Sequence, residues 1–431
     1  MNPSGDQAHI DVHRAPKVLE RRVVRFSVII PTFNRANLLE QAIQSVLAQS
    51  HPAAEIIVAD DGSEDDTAAM AHRYAPKVAY LRQPNQGKAA ALNLGIAAAQ
   101  GDTLVVLDDD DLFPTWALAA HKRALDANPK AGFSYGRSAQ FQGLSAPPPQ
   151  LSADPYPTRD PRRLLIRLME RCFISNPAWA ARRAAQTASG PYDVTLRRSQ
   201  DFDMILRLAH DHAGAFIEDL VFYQRTHAGW RGPQSDRSYA VHTTDKWAHY
   251  NVLIFERIDR TWPLSAFAPF EAEAAGFDEA TLHLQRGVIL FLRKVYVAAE
   301  AALNEYLRRL ETRPPSETEI RIASGLMGGD YGIGELLAES DARAVAVRML
   351  RMRPWPFALR MAFASQIRWR LRAALTARDF SQARALAQFA SDAFGPALAA
   401  LSLAAKCDGG AGAWRGDHFS APARTKPAAA A

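Results

Sequence analysis

Thr103-Leu-Val-Val-Leu-Asp-Asp-Asp-Asp-Leu-Phe-Pro114 is an apolar run that ends abruptly in four acids and, shortly after, a proline. A run of this length bounded by turn residues reads as a buried strand. Pro114 suits the first turn of a following helix, which ends before Pro129. The local order is thus strand, acidic loop, helix. Upstream the order repeats: residues 23–30, 55–59 and 78–81 are apolar runs of strand length. Between the first two, Leu39, Ala42, Ile43, Val46 and Leu47 recur at helical spacing, which predicts a helix burying one face. Ser63 followed by Asp66 predicts a capping box for the next helix. Residues 89–99 are strong helix formers, with Gly101 expected to end them. Repeated β-α-β units predict an α/β fold, a mainly parallel sheet flanked by helices.

Ligands of such sheets sit at the carboxyl ends of the strands. Pro31, Thr32, Phe33, Asn34 and Arg35 follow the first strand, Asp60 to Ser63 the second, and Asp108 to Asp111 the fourth. No Lys or Arg lies between Ala89 and His121, so the four aspartates have no local cation. Carboxylates this close repel and raise one another's pKa unless a positive charge intervenes. One or two carboxylates plus substrate phosphates are the usual holders of a hard divalent ion. A solvated acidic turn is the bland alternative, and the place at a strand's carboxyl end argues against it.

Four segments in this order resemble the nucleotide-binding half of the family 2 inverting glycosyltransferases, which have the GT-A fold. They are Ser27-Val-Ile-Ile-Pro-Thr-Phe-Asn-Arg35, Val58-Ala-Asp-Asp-Gly-Ser63, Asn85-Gln-Gly-Lys-Ala-Ala-Ala-Leu-Asn93 with Gly95, and Leu107-Asp-Asp-Asp-Asp111. A fifth, Gly190-Pro-Tyr-Asp193 through Ser199-Gln-Asp-Phe-Asp203 to Leu208, is similar to the family's acceptor-side segment. The likeness covers residues 23 to about 230. Each motif alone is weak; five in sequence are specific.

The resemblance implies a nucleotide-sugar donor, with UDP-sugar expected, and Mn²⁺ or Mg²⁺ as cofactor. It places Pro31, Thr32, Phe33, Arg35, Asp60, Asp61, Lys88, Asp108 and Asp109 on the donor side. Phe33 offers a ring face and Asp61 an acceptor for a base N–H, while Asp60 either shares that duty or caps a helix. Lys88 either meets phosphate or is a solvated lysine. Asp110 is the first expected metal ligand, Asp108 meets the ribose or the metal through water, and His227 of Gln224-Arg-Thr-His227 either completes the metal shell or touches the diphosphate. Asp201 matches the catalytic base, and Asp203 is the competing carboxylate. On one helix, i and i+2 do not share a face, so only one of them can meet an acceptor. Gln200 stands where the family usually has Glu, and Leu94 where Arg is common.

Composition bounds the rest. With 431 residues, two domains are expected. The reading is a loose tail over 1–22, the α/β domain over 23–235, a helical region over 236–408 and a low-complexity tail over 409–431. Apolar residues at 48% and charged residues at 23% are those of a globular protein. Cys172 and Cys407 match no metal or redox spacing and read as idle thiols in a reducing compartment. No N-terminal apolar segment resembles a signal peptide, and no run reaches the roughly 20 residues of a membrane span. The expected location is therefore cytoplasmic, at most peripheral on the inner membrane face.

Nine arginines and no acid lie between Arg343 and Arg378; setting them aside turns the net charge from +5 to −4. That asymmetry excludes a uniformly basic nucleic-acid binder. Residues 343–378 also hold Trp355, Phe357, Phe363 and Trp369, a composition suited to an anionic membrane surface or, more commonly, to a bundle whose arginines pair with acids elsewhere. The glycine-rich stretch at 325–334 follows no strand and reads as a loop. A saccharide or lipid-linked acceptor is expected, in cell-surface polysaccharide or glycolipid synthesis. Two rival readings are a non-catalytic nucleotide-sugar-binding module and a sugar nucleotidyltransferase, although the latter's N-terminal glycine-rich phosphate loop is replaced by Pro31 to Arg35.

Overall fold

The computed structural model describes residues 24–143, 160, 163–226, 230–231, 238–239, 244–269, 277–326, 337, 340–351 and 355–395. Its centre is a seven-stranded sheet of order β3-β2-β1-β4-β6-β5-β7. The strands are β1 (Phe26–Thr32), β2 (Glu55–Asp60), β3 (Val78–Arg82), β4 (Thr103–Val106), β5 (Phe133–Gln142), β6 (Trp179–Arg182) and β7 (Gly214–Thr226). Pairings β1/β2, β2/β3, β1/β4 and β5/β7 are parallel, and only β6 runs antiparallel to its neighbours β4 and β5. Every residue of β1 and of β4 is buried, as expected for central strands covered on both faces.

Helices α1 (Ala36–Leu47), α2 (Thr67–His72), α3 (Lys88–Ala98) and α4 (Ala117–Ala127) make the crossovers. Leu39, Ala42, Ile43 and Val46 are the buried residues of α1, four of the five that the spacing predicts, while Leu47 at its end is exposed. Three end signals are corrected. The Ser63 hydroxyl does not cap α2; it donates to Asp60 at 2.6 Å, and the Thr67 amide instead finds Asp65 at 3.0 Å. Gly101 does not cap α3, because Ala99 is already extended; the Gly101 amide donates to the Ser27 hydroxyl at 2.8 Å, and a Cβ there would meet the Arg25 carbonyl at 2.5 Å. Pro114 lies before α4 rather than in it, its carbonyl accepting from the Ala117 amide.

Between β5 and β7 lie α5 (Leu164–Glu170), a 3₁₀ turn (Asn176–Ala178), α6 (Arg183–Ala188) and α7 (Gln200–Asp211). Beyond the sheet, and a two-stranded ribbon of β8 (Trp230–Arg231) and β9 (Ser238–Tyr239), the described residues are helical. These helices are α8 (Thr244–Thr261), α9 (Glu279–Leu292), α10 (Tyr296–Leu310), α11 (Glu317–Ser324), α12 (Ser340–Arg351), α13 (Phe357–Thr376) and α14 (Phe380–Phe394). Residues 327–334 of the predicted glycine loop, Cys407 and both predicted tails lie outside the described residues. No helix among the described residues is long and apolar enough to cross a membrane.

Two arginines join the helical region to the sheet domain. Arg293, just after α9, is buried; its guanidinium donates to the Met169 and Leu168 carbonyls at 2.7 and 3.3 Å and lies over the rings of Phe202 and Phe255. Arg257 of α8 reaches Asp193 at 2.9 Å and also pairs with Asp203 of α7. The segment from Asp193 to Asp203 is therefore buttressed by the helical region.

Candidate active site

The acidic loop does not continue β4. The Asp111 amide donates to the Asp108 carbonyl at 3.0 Å, closing a turn that brings the fourth acid back beside the first. Carboxylate oxygens of Asp108, Asp110 and Asp111 consequently lie within 4.8 Å of one another. Three hard oxygen donors in one cluster suit a divalent cation such as Mg²⁺ or Mn²⁺. Asp111 was not anticipated as a ligand, because an i, i+2 pattern assumes extended chain and the turn begins at Asp108. Its carboxyl is pushed well above the ordinary range by burial first, then by Asp110 and Asp108.

Asp109 faces the other way. It is buried, accepts from the Thr32 hydroxyl at 2.9 Å and meets the Arg35 guanidinium at 3.0 Å. Burial, only partly offset by Arg35, raises it to about 6. Arg35 also reaches Asp110 at 2.9 Å, so it ties the end of β1 to the acidic turn. Arg225, in the penultimate position of β7, fixes the turn from the opposite side. Its backbone amide donates to Asp111 at 2.8 Å, its Nε to the Asp110 carbonyl at 2.8 Å, and its guanidinium lies 4.5 Å from the Phe141 ring centroid. Its neighbour two residues on, the predicted ligand His227, lies outside the described residues.

The second strand's acids are turned to the chain. Asp60 is fully buried and accepts from the Ser63 amide, the Ser63 hydroxyl and the Tyr80 hydroxyl. It neither caps α2 nor presents a carboxylate at the surface. Asp61 accepts from the Gln86 and Gly87 amides at 2.9 and 2.8 Å and from the Gln83 side chain, which shapes the loop leading to Lys88. Gly62, which follows them, has φ +89°, and a Cβ there would lie 3.0 Å from the Asn85 amide nitrogen, so glycine is required. Pro31 is buried in β1 opposite Ala59, while Phe33 is half-buried at the strand's end.

Lys88 opens α3 and places its ammonium 2.7 Å from Asp108. Burial works against its charge, but Asp108 and then Asp201 outweigh that and hold its pKa above the ordinary lysine value. The second half of the site thus meets the first at this lysine. Asp201 stands in the first turn of α7, and its own pKa is raised, by burial foremost and by Asp108, with Lys88 opposing. An ordinary pKa, the value its type suggests, is therefore replaced by a more basic carboxylate.

Asp203 is 1% exposed and engaged by Arg207 at 2.7 Å and by Arg257. Its carboxylate anchors α7 and α8, and Asp201 is the member of the pair left toward the acidic turn. Asn93 adds a link across the site: its amide donates to the Tyr192 carbonyl and accepts from the Tyr192 amide, both at 2.9 Å. Tyr192 in turn donates its hydroxyl to Asn176 at 2.8 Å. Neither role is visible in spacing, since Asn93 and Tyr192 are 99 residues apart.

Residues 27–186 match the family described as glycosyl transferase family 2. An uncharacterised glycosyltransferase of Rickettsia felis is 45% identical over 91 residues, 21% of this chain and 15% of that protein. The Campylobacter jejuni GalNAc(5)-diNAcBac-PP-undecaprenol beta-1,3-glucosyltransferase is 40% identical over 100 residues, 22% of this chain and 32% of that protein. The chain thus spans well under half the length of these two relatives. Among solved structures, Staphylococcus aureus TarS 1-349 in complex with UDP-GlcNAc aligns with 15% identity and a TM-score of 0.47, over 84% of this chain and 90% of that one. The matched segment, residues 27–186, is similar to glycosyl transferase family 2 in the order of its motifs.

Proposed function

We propose that the protein is an inverting glycosyltransferase that moves a sugar from a nucleoside diphosphate donor, UDP-sugar foremost, to an acceptor hydroxyl. The observation that carries this reading is the pairing of an acidic cluster at the end of β4 with a separate basic carboxylate, Asp201, across Lys88. Binding alone needs no second carboxylate of raised pKa on the far side of the cation.

Asp108, Asp110 and Asp111 would hold a divalent cation, with His227 as a further candidate ligand. When bound, such a cation acts as a Lewis acid toward the leaving diphosphate. Arg225 and Arg35 hold the acidic turn in shape. Asp201 takes the proton of the acceptor hydroxyl as that oxygen bonds to the anomeric carbon. The bond from that carbon to the diphosphate oxygen breaks on the opposite face, its electron pair leaving with the phosphate. One in-line displacement inverts the centre. Lys88, next to both acids, stabilises the negative charge that develops between them.

A lipid-linked or saccharide acceptor fits the Campylobacter relative, whose name gives an undecaprenyl diphosphate glycan. Cell-surface polysaccharide or glycolipid synthesis is the corresponding role. The experiment is a thermal-shift screen of nucleotide sugars with and without Mn²⁺, followed by a donor-hydrolysis assay. Metal-dependent stabilisation by a UDP-sugar with measurable hydrolysis supports the transferase. Stabilisation without any turnover would favour a non-catalytic binding module.

A further inference from the structure

The arginine-rich stretch divides into two parts. Its first part is ordinary bundle. Arg343 pairs with Asp392 at 2.6 Å and Arg348 with Glu300 at 2.8 Å, while Trp355 and Phe363 are core residues, Trp355 donating its indole N–H to the Met349 carbonyl. The outer face of α13 behaves differently. Phe357, Trp369 and Leu375 on α13, and Phe380 at the start of α14, are 64%, 60%, 50% and 68% exposed. They are four of the nine large apolar side chains exposed among the described residues, gathered within 24 positions. Helical geometry puts Phe357, Arg368, Arg372, Trp369 and Leu375 on one outward-facing side, opposite the buried Phe363, Ile367 and Ala374.

The charge on that face is as uneven as its hydrophobicity. Arg372, Arg378 and Arg384 are exposed, and among the described residues no carboxylate pairs with their guanidinium groups. The first acid after Arg343 in sequence is Asp379, and its carboxylate accepts from the Gln382 amide at the start of α14. A solvated bundle face would carry mixed charges and few aromatics, and a nucleic-acid groove would carry fewer bulky aliphatic and aromatic tips. Aromatic and aliphatic side chains flanked by the exposed Arg372, Arg378 and Arg384, on a helix lying along the surface, match the boundary between acyl chains and anionic headgroups.

We infer that the outer face of α13 and the α13–α14 turn form a surface that docks on an anionic lipid bilayer. Trp369, Phe357, Leu375 and Phe380 enter the interface, and Arg372, Arg378 and Arg384 meet lipid phosphates. The inference rests on the helical region alone and stands apart from the reading of the catalytic domain. Because the apolar tips are already exposed, docking requires no unfolding of the bundle.

The test is cosedimentation of the full chain with phosphatidylcholine vesicles that contain or lack phosphatidylglycerol. The chain is expected to pellet with the anionic vesicles, to bind neutral ones less, and to be partly released near 1 M salt, where the Debye length falls to about 3 Å. Arg372→Glu with Arg378→Glu should weaken partitioning by roughly tenfold or more at low salt. Trp369→Ser with Phe380→Ser should weaken it at both salt levels, with the melting temperature unchanged because both side chains are exposed. Absence of pelleting with anionic vesicles at low salt overturns the proposal. So does binding that neither variant alters. Variants that change only the sedimentation coefficient, or only binding to single-stranded RNA, would assign the face to a second copy or to nucleic acid instead and equally overturn it.

Discussion

The Lys88 ammonium lies 2.7 Å from Asp108, and its next electrostatic partner is Asp201. One cation therefore faces both the acidic cluster and the carboxylate that stands opposite. A metal entering the cluster must compete with it. Lys88→Met is expected to tighten Mn²⁺ binding in the absence of nucleotide, on the order of tenfold, by removing that competitor. Free Mn²⁺ followed by electron paramagnetic resonance checks this; weaker or unchanged binding would show that Lys88 does not guard Asp108.

The same lysine sets a pH dependence. Asp201 accepts a proton only when ionised, so turnover falls as pH drops through its pKa, which lies above the ordinary carboxylate value. Lys88 lowers that pKa, and its removal raises it. The acidic limb of the kcat profile should therefore move to higher pH in Lys88→Met, measured at fixed metal. A limb that stays put, or moves to lower pH, contradicts the electrostatic link.

Asp203 is expected to act through stability. It is buried between Arg207 and Arg257, and removing one partner of a buried pair typically costs about 3–5 kcal/mol. Asp203→Asn should lower the unfolding free energy by up to about that amount, solvent screening of the two partly exposed guanidinium groups reducing it, while turnover per folded molecule stays near wild type. Loss of turnover with unchanged stability would move the base two residues along α7.

Asp111 tests the geometry of the acidic turn. Asp111→Asn should weaken Mn²⁺ binding by about tenfold or more, comparably with Asp110→Asn, because both contribute an oxygen to the same cluster. Calorimetric titration of the metal decides it. If Asp111→Asn binds as wild type, the ligands are the alternating pair alone.

The central sheet was legible because β1, β2, β3 and β4 are short apolar runs separated by turn residues, and each is confirmed within a few positions. β5 and β7 were not, since Arg137, Gln140, Glu218 and Asp219 break their apolar character where the strands pass out of the core. At the site, residue types and motif order single out the acidic turn and Asp201, and the structure brings both beside Lys88. Which oxygen faces where depends on the Asp108–Asp111 turn and on arginines distant in sequence. Arg225 and Arg257 are 115 and 54 residues from partners they hold, and no local pattern reports such contacts. Asp60 illustrates the reverse error: its place at a strand's end suggested ligand contact, yet Ser63 and Tyr80 take its carboxylate.

The most direct test of the proposed chemistry separates turnover from donor binding at Asp201. Asparagine keeps the side chain's shape and removes its basicity, and loss of a general base typically costs about 10²–10⁴ in rate. Single-turnover transfer and calorimetric donor affinity should be measured together for Asp201→Asn with the preferred nucleotide sugar and Mn²⁺. The account expects transfer to fall by that factor with donor affinity near wild type. Transfer at the wild-type rate with the donor bound normally would contradict the account.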